Sequence, residues 1–502
     1  MKEKFLFWID IVMAHFGLAY QLQQKLDADF FAIIDTPNKP KKMFENQKIV
    51  EFQKTWFFHD YIKKVIEKPD LEYLSNFEKK YEINLWNLTI NERHFYKHNK
   101  FYKFTTNQIL KILEQECKLF ESILDEIKPN YLLINEPPFH YQKLIIELCK
   151  AKKIKVLSLC ISRFETSTIV VEDRTTFDLP KNLDLVDFDL SLKQKIDNEE
   201  GNYNKLNKTW DKNRTYTVSN QLKALKDYIF ISDSKNTQTN FTYYGREKYK
   251  VILETIALHF RRKSRYNYLK NNTEKIVNLN MPFIYFPLGI DDDIALLHDA
   301  PLFTDQVEVI KHVAKSIPIN FKIYVKDHIH AHFRGWRDIK QYEEIKSIQN
   351  VVLIHPSYSS QKLIKNCKIV ISVNSGGSTT EATYQNKPVI VFADQPIEIV
   401  PSVYKVNSVK KLHELIKIAL ETPVNPEYVK KYDELITKRK INFNWDELEI
   451  LRNKQFYSGN ILSDVEYPES KVKEFFEKNE KIFKILADGY IEKINGIESI
   501  IK

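Results

Sequence analysis

The stretch Lys368–Phe392, KIVISVNSGGSTTEATYQNKPVIVF, decides the fold. KIVISV (Lys368–Val373) is a short, unbroken apolar run rich in β-branched residues, as expected for a strand covered on both faces. NSGG (Asn374–Gly377) is a turn. STTEATYQ opens a helix with Ser378, Thr379 and Thr380 as N-terminal caps. PVIVF (Pro388–Phe392) is the next strand. Strand, turn, helix and strand at these lengths make a right-handed parallel crossover.

The turn raises a second question. The chain has 502 residues and only 10 glycines, yet Gly376 and Gly377 stand side by side. Bare backbone serves where φ is positive or where something approaches closely. A helix that starts just after a strand aims its first N–H groups and the positive end of its dipole at an anion. Gly376 and Gly377 would let a phosphate reach those N–H groups, and Ser375 and Ser378 would add hydroxyls. Glu381 follows one helical turn further in, where a carboxylate can accept from the two hydroxyls of a ribose. Together they describe a nucleotide-sugar site. The plainer reading is a tight turn and a capped helix.

Working outward, strand-like runs recur on both sides. PFIYFPLGI (Pro282–Ile290), FKIYV (Phe321–Val325) and NVVLI (Asn350–Ile354) alternate with helices over Thr304–Ile317 and Ser359–Asn366. A separate succession occupies the N-terminal half. It has strands at Phe5–Ile9, Phe30–Ile34, Tyr131–Asn135 and Lys155–Leu159, and helices over Asn107–Lys128 and Tyr141–Lys153. The segment between them, rich in Lys, Asn and Tyr, reads as helices and loops. The end of the chain reads as helical, with Phe475, Phe476, Ile482 and Phe483 as apolar anchors. The expected organisation is an N-terminal Rossmann-like acceptor domain (1–188), a helical bridge (189–280), a C-terminal Rossmann-like nucleotide-sugar domain (281–441) and a helical tail (442–502). The two doubly wound parallel-sheet α/β domains would face a cleft. Ligands of such sheets bind outside the carboxyl ends of the strands.

Four further groups are candidates for chemistry. YVKDHIHAHFRGWR (Tyr324–Arg337) follows a strand and offers Lys326, His328, His330, His332, Arg334 and Arg337. In an extended segment alternate histidines share a face and suit a metal; alternatively Lys326, His328 and Arg337 neutralise a leaving phosphate. FPLGIDDD (Phe286–Asp293) puts Gly289 and three carboxylates past another strand, as a sugar or metal site or as a solvated acidic loop. In the N-terminal half, Asp10, His15 and Glu136 lie past strand ends. Each is a candidate general base for an acceptor hydroxyl, or a cap or satisfied polar residue. HFRRKSR (His259–Arg265) reads as a solvated helix end or as a contact for anionic lipid or glycan.

The formal net charge of +9 fits an acidic partner or a lysine-rich surface. The four cysteines form no C-x-x-C pair, which points to a reducing compartment. No apolar run is long enough to span a bilayer, and Asp10 and His15 interrupt the apolar start, so a cytoplasmic protein is expected, peripheral to the inner face of the membrane at most. There is no P-loop, G-x-G-x-x-G, H-E-x-x-H or G-x-S-x-G, which argues against an ATPase, a dehydrogenase, a zincin or an α/β-hydrolase.

Pro282–Phe392 resembles the glycosyltransferases of capsule and surface polysaccharide biosynthesis, relatives of the capsular Kdo transferases with the GT-B fold. That family shows K-E-H-P after a strand, then G-x-R, then a Ser/Gly-rich turn before a helix with a Glu, then G-K-P-V-I. Here these stand as Lys326-Asp327-His328-Ile329, Gly335-Trp336-Arg337, Ser375-Gly376-Gly377 with Glu381, and Asn386-Lys387-Pro388. Ile154–Asp173 resembles the family's N-terminal segment. The resemblance implies a nucleotide-sugar-dependent glycosyltransferase with a CMP- or UDP-linked donor and a glycan or lipid-linked glycan acceptor. No nucleic acid, metal or other cofactor is implied. Catalytic roles fall to His328, Lys326, Glu136 and Asp10, and donor binding to Gly289, Arg337, Ser375, Gly376, Gly377, Ser378, Thr379 and Glu381. The turn also resembles that of non-hydrolysing UDP-GlcNAc 2-epimerases, which usually carry a second acid before the matching Glu; here Thr380 stands there. A third reading is a catalytically silent protein of this fold that binds glycans or polyanions.

Overall fold

A computed structural model describes residues 2–36, 38–63, 67–163, 166–185, 217–233, 240–374 and 376–496. Ser375 and much of the expected bridge (189–216 and 234–239) lie outside the described residues. The chain divides into two compact units. Met1–Arg174, Asp197–Lys250 and Arg439–Lys502 make the first, and Thr175–Ile196 with Val251–Lys438 make the second.

The first unit holds a six-stranded sheet. Its strands are β1 (Glu3–Asp10), β2 (Ala28–Asp35), β3 (Lys54–Phe57), β4 (Tyr131–Asn135), β5 (Lys155–Ile161) and β6 (Thr168–Val171). They lie in the order β3-β2-β1-β4-β5-β6, parallel except for β6, which pairs antiparallel with β5. β1 shows why the sheet is central. Phe5, Phe7 and Ile9 enter one apolar cluster, and Leu6 and Trp8 enter the other. A strand apolar on both faces must be covered on both. The helices Thr106–Ile127 and His140–Ala151 cover the Leu6/Trp8 face. A Thr105–Gln108 capping box fixes the start of the first of them.

The other face is covered by the end of the chain. Phe475, Phe476, Phe483 and Tyr490, on helices Glu469–Lys478 and Glu480–Ile494, are buried in one cluster with Phe5, Phe7 and Phe16. The approach is close: a Cβ on Gly17 would lie 2.2 Å from the Phe483 ring. The apolar anchors read in the tail therefore help to cover one face of this sheet.

The second unit repeats the plan. β7 (Phe283–Pro287), β8 (Lys322–Lys326), β9 (Val351–Ile354), β10 (Ile369–Ser372), β11 (Val389–Val391) and β12 (Val403–Lys405) form an all-parallel sheet ordered β12-β11-β10-β7-β8-β9. In both sheets the first and fourth strands of the unit are neighbours, and the order reverses there. This is the doubly wound Rossmann-like arrangement, whose ligands sit at that reversal beyond the strand carboxyl ends. β1/β4 and β7/β10 mark the two places.

Three strands carry little sequence signal. β3 and β12 are edge strands of four and three residues. β6 is an antiparallel edge that the parallel pattern does not anticipate. All four cysteines are buried free thiols. Among the described residues no helix is long and apolar enough to cross a membrane.

Candidate functional site

In the second unit the loops after β7, β8 and β10 bring several candidates together. The helix Gly376–Tyr384 begins directly after the β10 turn. Ser378, Thr379 and Thr380 therefore lie inside its first turns and not ahead of it as caps. The Thr380 hydroxyl donates back to the Gly376 carbonyl at 2.6 Å, and the single Thr379 hydroxyl proton lies between that carbonyl, 3.2 Å away, and Gln395 Oε1, 2.9 Å away. Those hydroxyls fix the helix start. Gly377 does not have a positive φ. A Cβ on Gly377 would meet nothing within 4 Å. Gly377 is thus not required by backbone strain or close packing, and the space beside it is open. Asn374 ties the turn to the loop after β7, donating to Ala295 O at 2.9 Å and Asp299 Oδ2 at 3.3 Å.

Lys326 ends β8 and is only 6% exposed. Its ammonium has three protons to donate, yet among the described residues it makes one long hydrogen bond, 3.4 Å to Pro356 O. Burial lowers its pKa to about 8, against the pull of Asp327 and Glu381. Glu381 on the Gly376–Tyr384 helix is therefore within electrostatic reach of Lys326.

His328 caps a 3-10 turn, Ile329–Arg334, and its Nδ1 accepts from His330 N at 3.1 Å. That bond puts the proton of the neutral ring on Nε2. Burial, then His330, Lys326 and Arg337, lowers its pKa to about 4. Near neutral pH His328 is an uncharged imidazole with Nε2–H to give. The turn also removes the premise of the metal reading, which needed an extended segment. His332 Nδ1 bonds to Ile329 O at 2.8 Å, and no group of three or more potential ligands suits a metal among the described residues.

Arg337 and Gly289 are tied into the loops after β7 and β8. Arg337 is buried, and its guanidinium donates to Asp291, to Gly289 O and, at 3.4 Å, to Asp327 Oδ1. Burial opposes its charge, but Asp327 and Asp291 outweigh this and raise its pKa further. Tyr342 holds the other oxygen of Asp327. Gly289 gives its N–H to Gln306 Oε1 at 2.8 Å and accepts from Gln306 Nε2 at 3.0 Å. These bonds lock the β7 and β8 loops together, and Arg337 would have to leave them to touch a donor. Asp291 is thus a partner of Arg337. HFRRKSR is not a solvated end either. Arg262 donates to His332 O at 2.7 Å and Phe333 O at 3.2 Å, and Arg265 to Trp336 O at 2.9 Å. The two arginines brace the segment that carries His328.

In the first unit Asp10 and Glu136 end or follow β1 and β4. Asp10 accepts from Val12 N at 2.8 Å and Asn135 Nδ2 at 2.9 Å. Burial, with Asp35 adding to it, raises its pKa to about 6. Glu136 pairs with Arg174 at 2.5 Å. Burial alone would raise its pKa, but Arg174 and Arg163 hold it below the usual carboxylate range. His15 is buried against Tyr490 at 2.9 Å, and burial takes its pKa to about 3. Two clusters here were not anticipated. His59 bonds to Asp35 at 2.9 Å, and Tyr141 donates to the same carboxylate at 3.2 Å. His140 lies fully buried between Glu92 and Glu116, 3.0 Å from each. Burial opposes its charge, but the two carboxylates prevail and raise its pKa to about 10.

Residues 205–396 match the model of the family described as capsule polysaccharide biosynthesis protein. This is the family whose motifs the second unit resembles. No curated protein matches the chain. Among solved structures, UDP-GlcNAc 2-epimerase from Neisseria meningitidis bound to UDP-GlcNAc is 14% identical over 86% of this chain and 94% of that one, with a TM-score of 0.26. KpsC beta Kdo 2,4 transferase from Thermosulfurimonas dismutans is 12% identical over 61% and 87%, with a TM-score of 0.30. KpsC beta Kdo 2,7 transferase from the same organism is 13% identical over 67% and 87%, with a TM-score of 0.28. Similarity at this level does not extend to function.

Proposed function

From a chain whose residues 205–396 match the capsule polysaccharide biosynthesis family, we propose a glycosyltransferase. It moves a sugar from a CMP- or UDP-linked donor to a growing surface polysaccharide, as free glycan or lipid-linked glycan. The observation that carries the reading is Lys326. A nearly buried ammonium with a single 3.4 Å hydrogen bond is short of acceptors, and a phosphate supplies them. It ends β8 at the sheet's carboxyl edge, one strand from the β7/β10 reversal, in electrostatic reach of Glu381 on the helix that starts at Gly376.

In this reading the phosphate rests on the N–H groups of Gly376 and Gly377, and Glu381 takes the ribose hydroxyls. Negative charge grows on the leaving phosphate as the glycosidic bond breaks. Donors fixed in place beforehand stabilise that charge without reorganising. Lys326 supplies a full charge, His328 a neutral Nε2–H, and the helix a partial charge. Arg262, Arg265 and Arg337 hold the loop that carries His328. For the acceptor's proton Asp10 is the better base: with a pKa of about 6 it is ionised near neutral pH and still basic. Glu136, pinned to Arg174, is a poorer one. Thr380, buried and bonded to Gly376 O, offers no second acid for epimerisation.

The test is nucleotide release from a panel of CMP- and UDP-sugars, with and without oligosaccharide acceptor. Release that needs acceptor is expected. Conversion of a nucleotide sugar without acceptor would replace the reading with an epimerase. Salt-sensitive polyanion binding without any turnover would replace it with a binding protein.

A further inference from the structure

Two helices wear their apolar faces outward. In Val218–Phe230, Ala224 is buried, and the helix packs on the turn at Gly459, where a Cβ would lie 2.2 Å from Asn220 O. Asp227 accepts from Ser458 on that side. The opposite face carries Val218, Leu222, Leu225 and Ile229, spaced four, three and four apart, which lines them along one stripe. They are 41% to 73% exposed.

The helix Lys248–Asn272 repeats the pattern. Leu269 is buried, Leu258 sits 2.6 Å from where a Cβ on Gly335 would lie, and Arg262 and Arg265 bond the loop carbonyls. On the far side Tyr249, Leu253, Ile256 and Phe260 follow the same spacing and are 49% to 65% exposed. An amphipathic helix ordinarily turns such a stripe inward. Two that turn it outward have something else to bury it.

Charge decides what. The exposed Lys223 and Lys226 flank the first stripe, and the exposed Lys263 extends beside the second. The only carboxylates in the two helices, Asp227 and Glu254, accept from Ser458 and Arg261. A second copy of the chain would bring lysine against lysine with no free acid to answer it. An anionic headgroup layer over acyl chains matches both parts: apolar side chains enter the interface while lysine ammonium groups stay among the phosphates. We propose that each stripe is a docking face for an anionic lipid surface. The inference does not depend on which reaction the protein performs.

The test is flotation of the full chain with vesicles of phosphatidylcholine alone and of phosphatidylcholine with phosphatidylglycerol. The wild type should bind the anionic vesicles, and salt should weaken it. Leu222→Gln/Leu225→Gln/Ile229→Gln and Leu253→Gln/Ile256→Gln/Phe260→Gln should each lower partitioning at least about tenfold, roughly 1.4 kcal/mol. Their melting temperatures should not change, since the side chains are exposed. Lys223→Gln/Lys226→Gln should bind less and respond less to salt. The proposal falls if the wild type binds neither vesicle, if it binds both equally, or if the apolar variants bind as the wild type does. It also falls if the wild type sediments as a dimer that the same variants disperse, without lipid binding.

Discussion

Replacing Lys326 with Met removes a buried charge and should produce two opposite effects. In the free protein burial holds the Lys326 pKa at about 8, against an ordinary 10.5. Above about pH 8 the folded protein has lost that proton while the unfolded chain keeps it. The charge therefore costs stability below pH 8, and the cost fades as pH rises from about 8 to 10.5. At about 1.36 kcal/mol per unit, the full difference is roughly 3 kcal/mol, so Lys326→Met should raise the melting temperature near neutral pH. A bound phosphate reverses the balance by favouring the ammonium. If it restores an ordinary pKa, binding of UDP or CMP at pH 8 takes up about half a proton, and affinity falls up to about tenfold per unit above pH 8. Titration calorimetry at pH 8 in two buffers of different protonation enthalpy measures that uptake. The wild type should show buffer-dependent heats. Lys326→Met should bind at least about tenfold more weakly and lose the Lys326 contribution to the uptake. Equal affinity, or the same uptake in both proteins, would refute the role given to this ammonium.

Gly377→Val adds a side chain in open space at a φ it tolerates, so it should fold normally and lose nucleotide binding. Glu381→Gln should weaken binding about tenfold, as expected for losing a charge-assisted hydrogen bond; wild-type affinity in both variants would reduce the glycine pair to a turn. Arg337→Met removes the guanidinium that pairs with buried Asp327 and with Asp291, and urea unfolding should show a loss of about 3–5 kcal/mol. An unchanged midpoint with weaker nucleotide binding would return Arg337 to the ligand. Gly17→Ala would put a methyl 2.2 Å from the buried Phe483 ring, costing about 1–3 kcal/mol, and an unchanged melting temperature would refute the packing of the last helix against the first.

The strands that flank each order reversal were legible because burial on both faces writes itself into sequence as an unbroken apolar run. Tyr131–Asn135 reads as a strand and is one. β3 and β12 were not legible, because an edge strand needs only a few residues and one apolar face. The last two helices were legible as helices, but nothing in Phe475 or Phe483 says which sheet they cover. That depends on a contact with Gly17 across more than four hundred residues, and no local period records it. The outward stripes are a different case. A four-three-four spacing predicts a helix correctly and says nothing about which way the stripe faces.

The candidate site divides along the same line. Lys326, His328, Gly376, Gly377 and Glu381 follow strands that a parallel sheet must set side by side, so strand ends alone were enough to group them. Arg337 stands in the same motif, yet its role turns on Asp291, 46 residues away. Asp10 and Glu136 looked equivalent in sequence, each an acid just past a strand. They differ because Arg174, 38 residues beyond Glu136, pairs with one and not the other. His140 between Glu92 and Glu116 draws on partners 48 and 24 residues distant. What a carboxylate or imidazole can do is set by its burial and by the charge beside it. Sequence order shows the strand end that presents the group, but the fold supplies the neighbour that tunes it.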